Sequence, residues 1–400
     1  MNVPESNPRV AFLRWNDDRA ALSGMPWNMS AGLESAGCDT ANVLLNCTPK
    51  SLRRPRFSAM PARNSVKQIA RRLRRFSGRV LPDRTYRSSI RETETFAEIA
   101  SSKINAGEFD LVVAVNMSGL VSRIETPLPI VYATDATASL ANVAYESFAG
   151  RRKGQRDADE SLETDAARRA DLVLVASEYC RRSMCDDHDA DPSKVHVVPL
   201  GANLIPESDE IVGEVSTPTP DGELELVVSA ADPERKRVAL CAAVAQAIEA
   251  RGWRVRLHYI GPRHAICDLG IVEWAGRLDH GLEADRRKHR AILRRAHLSI
   301  LPSTSEMYGI APIESAAFGR PAIVSAVGGL TTVVQDGITG RCLPVETPVS
   351  GWVDAIESMV APPGRYRAYA AAALRRYQEE LNWEAWGRRV KMLVQELVRR

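Results

Sequence analysis

Short apolar runs alternate with helix-period segments along most of the chain, and this alternation restricts it to helices wrapped around parallel sheets. The first series of strand-like runs is Val10–Leu13, Val43–Leu45, Leu111–Val115, Ile130–Ala133, Leu172–Ala176 and Val195–Val198, with a helical stretch at Glu160–Arg169. A second series comprises Leu224–Ser229, Arg256–Ile260, Val272–Ala275, Leu298–Leu301 and Ala322–Ser325. Its helices are expected at Arg235–Ala250, Ala284–Ala296 and Ile310–Phe318. Between the two series, Ile205–Asp221 is rich in Pro, Ser, Thr and acids and has little apolar periodicity, which is linker composition. The 400 residues suit two α/β domains of about 200 residues each. The expected division is residues 1–203, a linker at 204–222, residues 223–375, and a C-terminal helix at 376–400. Within Tyr369–Arg400, the residues Trp383, Trp386, Val390, Leu393 and Leu397 make one apolar stripe that must be covered.

Cysteine and charge usage narrow the class of protein. The seven cysteines are scattered without a C-x-x-C pair, which reads as reduced thiols in a cytoplasmic protein. The histidines show no metal-ligand spacing, so no metal is expected. Met1–Trp15 lacks a basic region followed by an apolar one, and no apolar run approaches the roughly 20 residues of a membrane-spanning helix. A net charge of +3 conceals a strong asymmetry: residues 50–91 carry fourteen Lys/Arg against one acid, Asp83, and the remainder is acidic. There Val66, Ile69, Ala70, Leu73 and Phe76 recur at helical spacing among Lys67, Arg71, Arg72, Arg74 and Arg75. Two readings of this basic amphipathic helix stand side by side: a domain helix with a solvated back, or peripheral contact with an anionic membrane surface or a phosphate-bearing acceptor. Nucleic acid is not expected, because no aromatic residues interleave with the charges.

The most informative segment is Ser299–Pro344, SILPSTSEMYGIAPIESAAFGRPAIVSAVGGLTTVVQDGITGRCLP. A buried strand ends at Leu301 and opens into a polar loop holding Glu306. Gly309 then precedes a helix that carries Glu314. A glycine at a loop-to-helix junction lets a ligand approach the backbone, and the free N–H groups of the first turn favour a phosphate. Two carboxylates eight positions apart can face one ligand at two depths, where they suit the paired hydroxyls of a sugar or a ribose.

The segment resembles the signature of retaining, family-4-type glycosyltransferases of the GT-B fold, with Glu306-x7-Glu314, Gly319-Arg320-Pro321, Gly328-Gly329 and Asp336-Gly337-Ile338-Thr339-Gly340 in order. Ser177–Asn203 is similar to the family's Lys-Val-x-Val-x-Pro-x-Gly-x-Asn crossover, and Asp232–Leu240 (DPERKRVAL) to its phosphate-binding turn. Weaker likeness is carried by Ser23-Gly24 and Asn382-Trp383-Glu384. The resemblance implies two Rossmann-like domains facing a central cleft, with the C-terminal helix crossing back onto the first. It also implies transfer of a sugar from a nucleoside-diphosphate donor to an acceptor hydroxyl with retention, without a metal or other cofactor. Glu314 would accept the ribose hydroxyls and Glu306 the donor-sugar hydroxyls. Gly309, Ile310 and Ala311, with Tyr308 beside them, would meet the diphosphate and sugar. Lys236 with Arg235 would neutralise the leaving diphosphate. Gly276 and Arg277 would meet the base, Asn203 would lie at the donor, Asp135 near the reacting sugar, and Ser23 and Gly24 in the acceptor or phosphate loop.

The chain departs from the pattern at several points. Ala231 stands where many relatives have arginine, Arg237 replaces the usual glycine after the lysine, and Thr332 replaces a frequent acid. The first glycine loop is replaced by RWNDDRAALSGMP. These changes motivate an alternative, a catalytically degenerate GT-B protein that binds a nucleotide or an anionic surface. Arg235 and Lys236 could otherwise be solvated helix-start residues, Asp135 a helix N-cap, and Arg277 a surface cation. A lipid-linked acceptor, or an enzyme peripheral at the inner face of a membrane, is expected from residues 50–91.

Overall fold

The computed structural model describes residues 7–15, 24–45, 84–145, 148, 150–207, 217–219 and 222–399. It contains two six-stranded parallel sheets. The first is built from β1 (Arg9–Arg14), β2 (Asp39–Leu44), β3 (Leu111–Val115), β4 (Ile130–Thr134), β5 (Leu172–Val175) and β6 (Val195–Val197) in the order β2-β1-β3-β4-β5-β6. The second comprises β7 (Glu223–Ser229), β8 (Arg254–Ile260), β9 (Val272–Gly276), β10 (Leu298–Leu301), β11 (Ala322–Ser325) and β12 (Gly340–Leu343), ordered β12-β11-β10-β7-β8-β9. Each domain is thus a Rossmann-like α/β unit, and the architecture is GT-B, as the sequence resemblance implies. Strands β3, β4, β5, β10 and β11 are buried along their whole length, which is why they read as unbroken apolar runs with no alternation.

Topology places the cleft. In the first sheet the order reverses between β1 and β3, and in the second between β7 and β10. Loops leaving the carboxyl ends of strands flanking such a reversal splay apart and leave a crevice. The loops after β7 and β10 carry the Arg235-Lys236 turn and Glu306.

Three local expectations need correction. The strand read at Val43–Leu45 starts earlier, at Asp39, and pairs with β1 from Arg9 onward. It is an edge strand with Asp39, Ala41 and Asn42 exposed, so apolarity conceals most of it. The helix expected from Arg235 begins at Val238, because Arg237 adopts a left-handed conformation (φ 49°) and residues 232–236 form a turn instead. The C-terminal helical stretch is broken into Arg365–Glu379 and Trp383–Arg399. At the break, Asn382 Oδ1 accepts the Ala385 N–H at 2.8 Å and its Nδ2 donates to the Tyr377 and Gln378 carbonyls, so one side chain ends one helix and caps the next. The basic helix read at residues 66–76 lies outside the described residues.

The last helix covers its apolar stripe as expected. Trp386, Val390 and Val394 are buried, and Trp383, Leu393 and Leu397 pack around them. It crosses the Met25–Ser35 helix of the first domain so closely that a Cβ on Gly387 would lie 1.9 Å from the Gly32 carbonyl oxygen. Leu200, Ala202 and Leu204 of the interdomain crossover join Tyr308, Ile313 and Leu330 of the second domain in one continuous core. The six described cysteines are free thiols.

Candidate functional site

The turn after β7 is shaped by Asp232, whose side chain accepts the Arg235 N–H at 3.1 Å while its carbonyl accepts the Lys236 N–H at 3.1 Å. This aspartate turn holds Arg235 and Lys236 outside the helix and aims them across at the loop after β10. Arg235 Nη1 donates to Glu306 Oε2 at 2.9 Å and to the Ser305 carbonyl at 2.7 Å. Lys236 Nζ lies 3.8 Å from the same carboxylate oxygen, and Ser303 Oγ donates to it at 3.1 Å. Burial alone would lower the Arg235 pKa, but the Glu306 charge and hydrogen bond, with Tyr145 and Asp232, together outweigh it and the pKa is raised. Both side chains are thus held against Glu306 and largely buried, as a site that neutralises developing negative charge requires.

Glu306 is held from behind by Gly328-Gly329. Gly328 has φ +53°, and a Cβ there would sit 1.7 Å from the Glu306 carbonyl oxygen, which also accepts the Gly329 N–H at 3.2 Å. The glycine pair in the sequence signature thus acts through backbone contact on the loop that presents Glu306.

Gly309 (φ +109°) leads into the Ile310–Ala317 helix with no side chain capping its N-terminus. Ile310 and Ala311 are half-buried in its first turn. One turn in, Glu314 is only 5% exposed. Burial pushes its carboxyl up to about 8, partly opposed by a hydrogen bond from the Leu204 N–H and by the Lys236 charge. The two glutamates of the eight-residue spacing thus differ in kind: Glu306 is paired with cations, while burial shifts Glu314 toward its protonated form.

The first domain supplies Asp135, just after β4. Asn116, left-handed (φ 51°) at the end of β3, donates to Asp135 Oδ1 at 3.1 Å. Burial raises the Asp135 pKa, the Asn116 hydrogen bond opposes this, and the nearby Glu306 charge adds to it. Asp135 is not the cap of the following helix: Thr137 is, its Oγ1 accepting the Leu140 N–H at 3.2 Å. Tyr145, at the end of that helix, lies with its ring centroid 5.4 Å from the Arg235 guanidinium carbon. Ser305 Oγ donates to the Ala144 carbonyl at 3.3 Å, so the two domains touch at this point.

The structure thus brings Glu306, Arg235, Lys236 and Asp135 together across the domain boundary, with Gly309, Ile310, Ala311 and Glu314 alongside. Of the other residues named from sequence, several are engaged in the fold. Tyr308 is buried and its hydroxyl donates to the Leu200 carbonyl at 3.1 Å. Asn203 Oδ1 accepts from Asn28 Nδ2 at 2.8 Å and Trp383 Nε1 at 3.2 Å, tying the crossover to the first and last helices. Gly276 (φ +85°) ends β9, two strands across the sheet from β7, and Arg277 beside it is exposed. Gly24 (φ 80°) starts the Met25–Ser35 helix, and Ser23 lies outside the described residues. Sequence reading missed Tyr145, Ser303 and Asn116; only Asn116, an asparagine directly after a strand, carried a usable signal, its tolerance of left-handed backbone. Among the described residues no group of His, Cys, Asp and Glu is arranged to hold a metal ion.

Comparisons with known proteins agree with this architecture. Residues 224–361 match a family described as "Glycosyl transferases group 1". The chain is 28% identical to a D-inositol 3-phosphate glycosyltransferase of Kineococcus radiotolerans, a match covering 63% of this chain and 62% of that protein. It is 26% identical to the enzyme of that name from Mycobacterium tuberculosis, covering 66% of this chain and 56% of that one. The match therefore spans less than two thirds of either relative. Sucrose-phosphate synthase from Thermosynechococcus elongatus superposes with a TM-score of 0.66 at 19% identity, over 98% of this chain and 99% of that one. The lipopolysaccharide outer core galactosyltransferase WaaB, in its apo form, superposes at 0.60 and 13% identity, over 97% and 99%.

Proposed function

We propose that the chain is a retaining glycosyltransferase that moves a sugar from a nucleoside-diphosphate donor to an acceptor hydroxyl. The observation that carries this reading is the interdomain cluster of Arg235, Lys236 and Glu306, with Glu314 beside it in the helix that opens at Gly309. The uncapped helix N-terminus and the two fixed cations suit a diphosphate. Glu306 suits the sugar hydroxyls and Glu314 the ribose hydroxyls. As the sugar–phosphate bond breaks, charge builds on the departing diphosphate, and Arg235 and Lys236 neutralise it in a site already partly closed to water. These side chains supply the role for which no metal or other cofactor is invoked. Asp135 lies near Glu306 on the first-domain side, which supports contact with the reacting sugar or the incoming hydroxyl.

Retention of configuration and the nucleotide donor rest on the Glu306-x7-Glu314 resemblance. The relatives are named for an inositol-phosphate acceptor, which supports a small polar or phosphate-bearing acceptor here as well. The basic residues 50–91 support a cytoplasmic enzyme that contacts an anionic membrane face or a lipid-linked acceptor. Among the described residues no helix is long and apolar enough to cross a membrane. Vesicles of neutral and anionic lipid at low salt test this point: preferential binding to the anionic vesicles supports it, and equal binding removes it.

The donor site is tested by melting the protein in the presence of UDP, GDP, ADP and dTDP. A nucleotide at 100 times its dissociation constant stabilises by about 2.7 kcal/mol, which shifts the melting temperature visibly. The sugar conjugates of the best base are then assayed for slow hydrolysis. A shift clearly reduced by Glu314→Ala, followed by turnover, supports the reading. Tight binding without turnover of any donor favours a binding protein on the same fold, and no shift with any nucleotide overturns the donor site.

A further inference from the structure

The segment after the Ala138–Ala144 helix forms a ladder of stacked groups that ends on the diphosphate side of the cleft. Arg151 lies with its guanidinium carbon 3.9 Å from the Phe148 ring centroid. Phe148 and Tyr145 have their centroids 6.2 Å apart at 46°, and Tyr145 in turn faces Arg235 at 5.4 Å. At its outer end Arg151 is fixed by Asp159, 2.6 Å from Nη1. The ladder's local backbone is hydrogen-bonded, with the Phe148 N–H donating to the Tyr145 carbonyl at 2.9 Å and the Arg151 N–H to the Phe148 carbonyl at 3.0 Å.

Arg235 belongs to the second domain, whereas Tyr145, Phe148 and Arg151 belong to the first. Its guanidinium is held at Nη1 by Glu306 Oε2 and the Ser305 carbonyl, with Asp232 Oδ2 3.5 Å from Nε, and these contacts to its N–H edge leave its flat faces to other partners. An arginine held only at its edge swings about that edge. A ring against one face stops the swing, by cation–π attraction and by simple obstruction.

We propose that Tyr145 is a positioning residue for the diphosphate clamp, holding the Arg235 guanidinium in the plane in which it meets the phosphates, so that one wall of the donor site is supplied by the first domain. This inference rests on the nucleotide-donor reading above. It is the ring that matters, not the hydroxyl. The inference therefore separates phosphate recognition from base and ribose recognition, which Tyr145 does not approach.

The test uses the full chain and compares the affinities of UDP, GDP, ADP and dTDP with those of the corresponding monophosphates. The readout is the preference for diphosphate over monophosphate of the best-bound base. Tyr145→Leu is expected to reduce that preference about tenfold, within the span of exposed to desolvated cation–π contacts. Monophosphate affinity should stay within about twofold, and Tyr145→Phe should restore the wild-type preference. A ring that only supported the fold would weaken both ligands together. Arg235→Lys keeps the charge but lacks the flat face, so it should lose the preference alone, and adding Tyr145→Leu to it should cost nothing further; this variant also serves if Tyr145→Leu folds poorly. An unchanged preference in Tyr145→Leu or Arg235→Lys, or a Tyr145→Phe variant that behaves like Tyr145→Leu, overturns the proposal. Binding of no nucleotide by the wild-type chain overturns the donor reading itself, and the positioning role with it.

Discussion

The buried carboxyl of Glu314 makes the stability of the second domain depend on pH in a direction that can be worked out in advance. Its pKa is pushed up from 4.5 to about 8, so between those values the folded state holds a proton that the unfolded state has released. Stability rises with pH only where the unfolded state binds more protons, and here it binds fewer. The contribution is fully present below about pH 4.5 and is lost as pH rises through about 8. At about 1.4 kcal/mol per pH unit the whole span is on the order of 4–5 kcal/mol. Glu163, buried in the first domain and hydrogen-bonded by Tyr132 at 2.8 Å, is pushed up to about 7 by burial and adds a second slope of the same sign. The perturbation is Glu314→Gln, which keeps an oxygen for the Leu204 N–H and removes the titration. Urea unfolding followed by tryptophan fluorescence at pH 5, 6, 7 and 8 measures the outcome. The wild type should lose stability steadily over this range. The variant should lose less, by about 1.4 kcal/mol per unit, and retain only the slope belonging to Glu163 and other groups. Parallel pH profiles for the two proteins would mean that Glu314 is ionised in the folded state, and the argument would fail.

Three further outcomes follow from the same geometry. At pH 7, Glu314→Gln should bind the nucleoside diphosphate within about threefold of wild type, whereas Glu314→Ala should lose about tenfold or more, equivalent to one or two net hydrogen bonds; titration calorimetry distinguishes these. Lys236→Ala should lower kcat of donor turnover by about a hundredfold with a smaller change in KM, because the diphosphate is already anionic when bound and gains further charge as it departs; a change confined to KM would refute that role. Gly387→Ala should cost about 1–3 kcal/mol in thermal unfolding, since its Cβ would lie 1.9 Å from the Gly32 carbonyl oxygen and the final helix would have to move off the first domain; a melting temperature unchanged within a degree would contradict the close crossing.

The buried strands were legible because a parallel sheet covered on both faces needs unbroken apolar sequence, and β3, β4, β5 and β10 supply it. The edge strand β2 was legible only at its end, because among the described residues one of its sides has no neighbouring strand and tolerates Asp39 and Asn42. The Arg235 helix start was misplaced for a related reason. Arginine and lysine have good helix propensity, but Asp232 captures the backbone N–H of Arg235 in a turn, and that local bond decides the geometry. The same limitation hid Tyr145. Its meaning lies in a ring facing a guanidinium from the other domain, ninety positions away, and no local pattern records such a contact.

The electrostatic balance of the cleft explains why the two signature glutamates are kept in such different surroundings. Arg235 and Lys236 pair with Glu306, and Asp135 lies near that carboxylate, so the formal charges of the centre nearly balance before any ligand arrives. A third carboxylate ionised beside Lys236 would tip the balance negative and oppose a diphosphate. On the donor reading proposed above, a protonated Glu314 would avoid this while keeping an acceptor oxygen for the ribose and a proton to share. The balance has a consequence for binding: as pH rises past about 8, Glu314 ionises and affinity for the diphosphate should fall in the wild type but not in Glu314→Gln. The monophosphate, with less charge to be repelled, should fall less. An affinity that instead rose with pH would mean that the ionised carboxylate is the form the ribose selects, and that the cations alone set the tolerance of the site for charge.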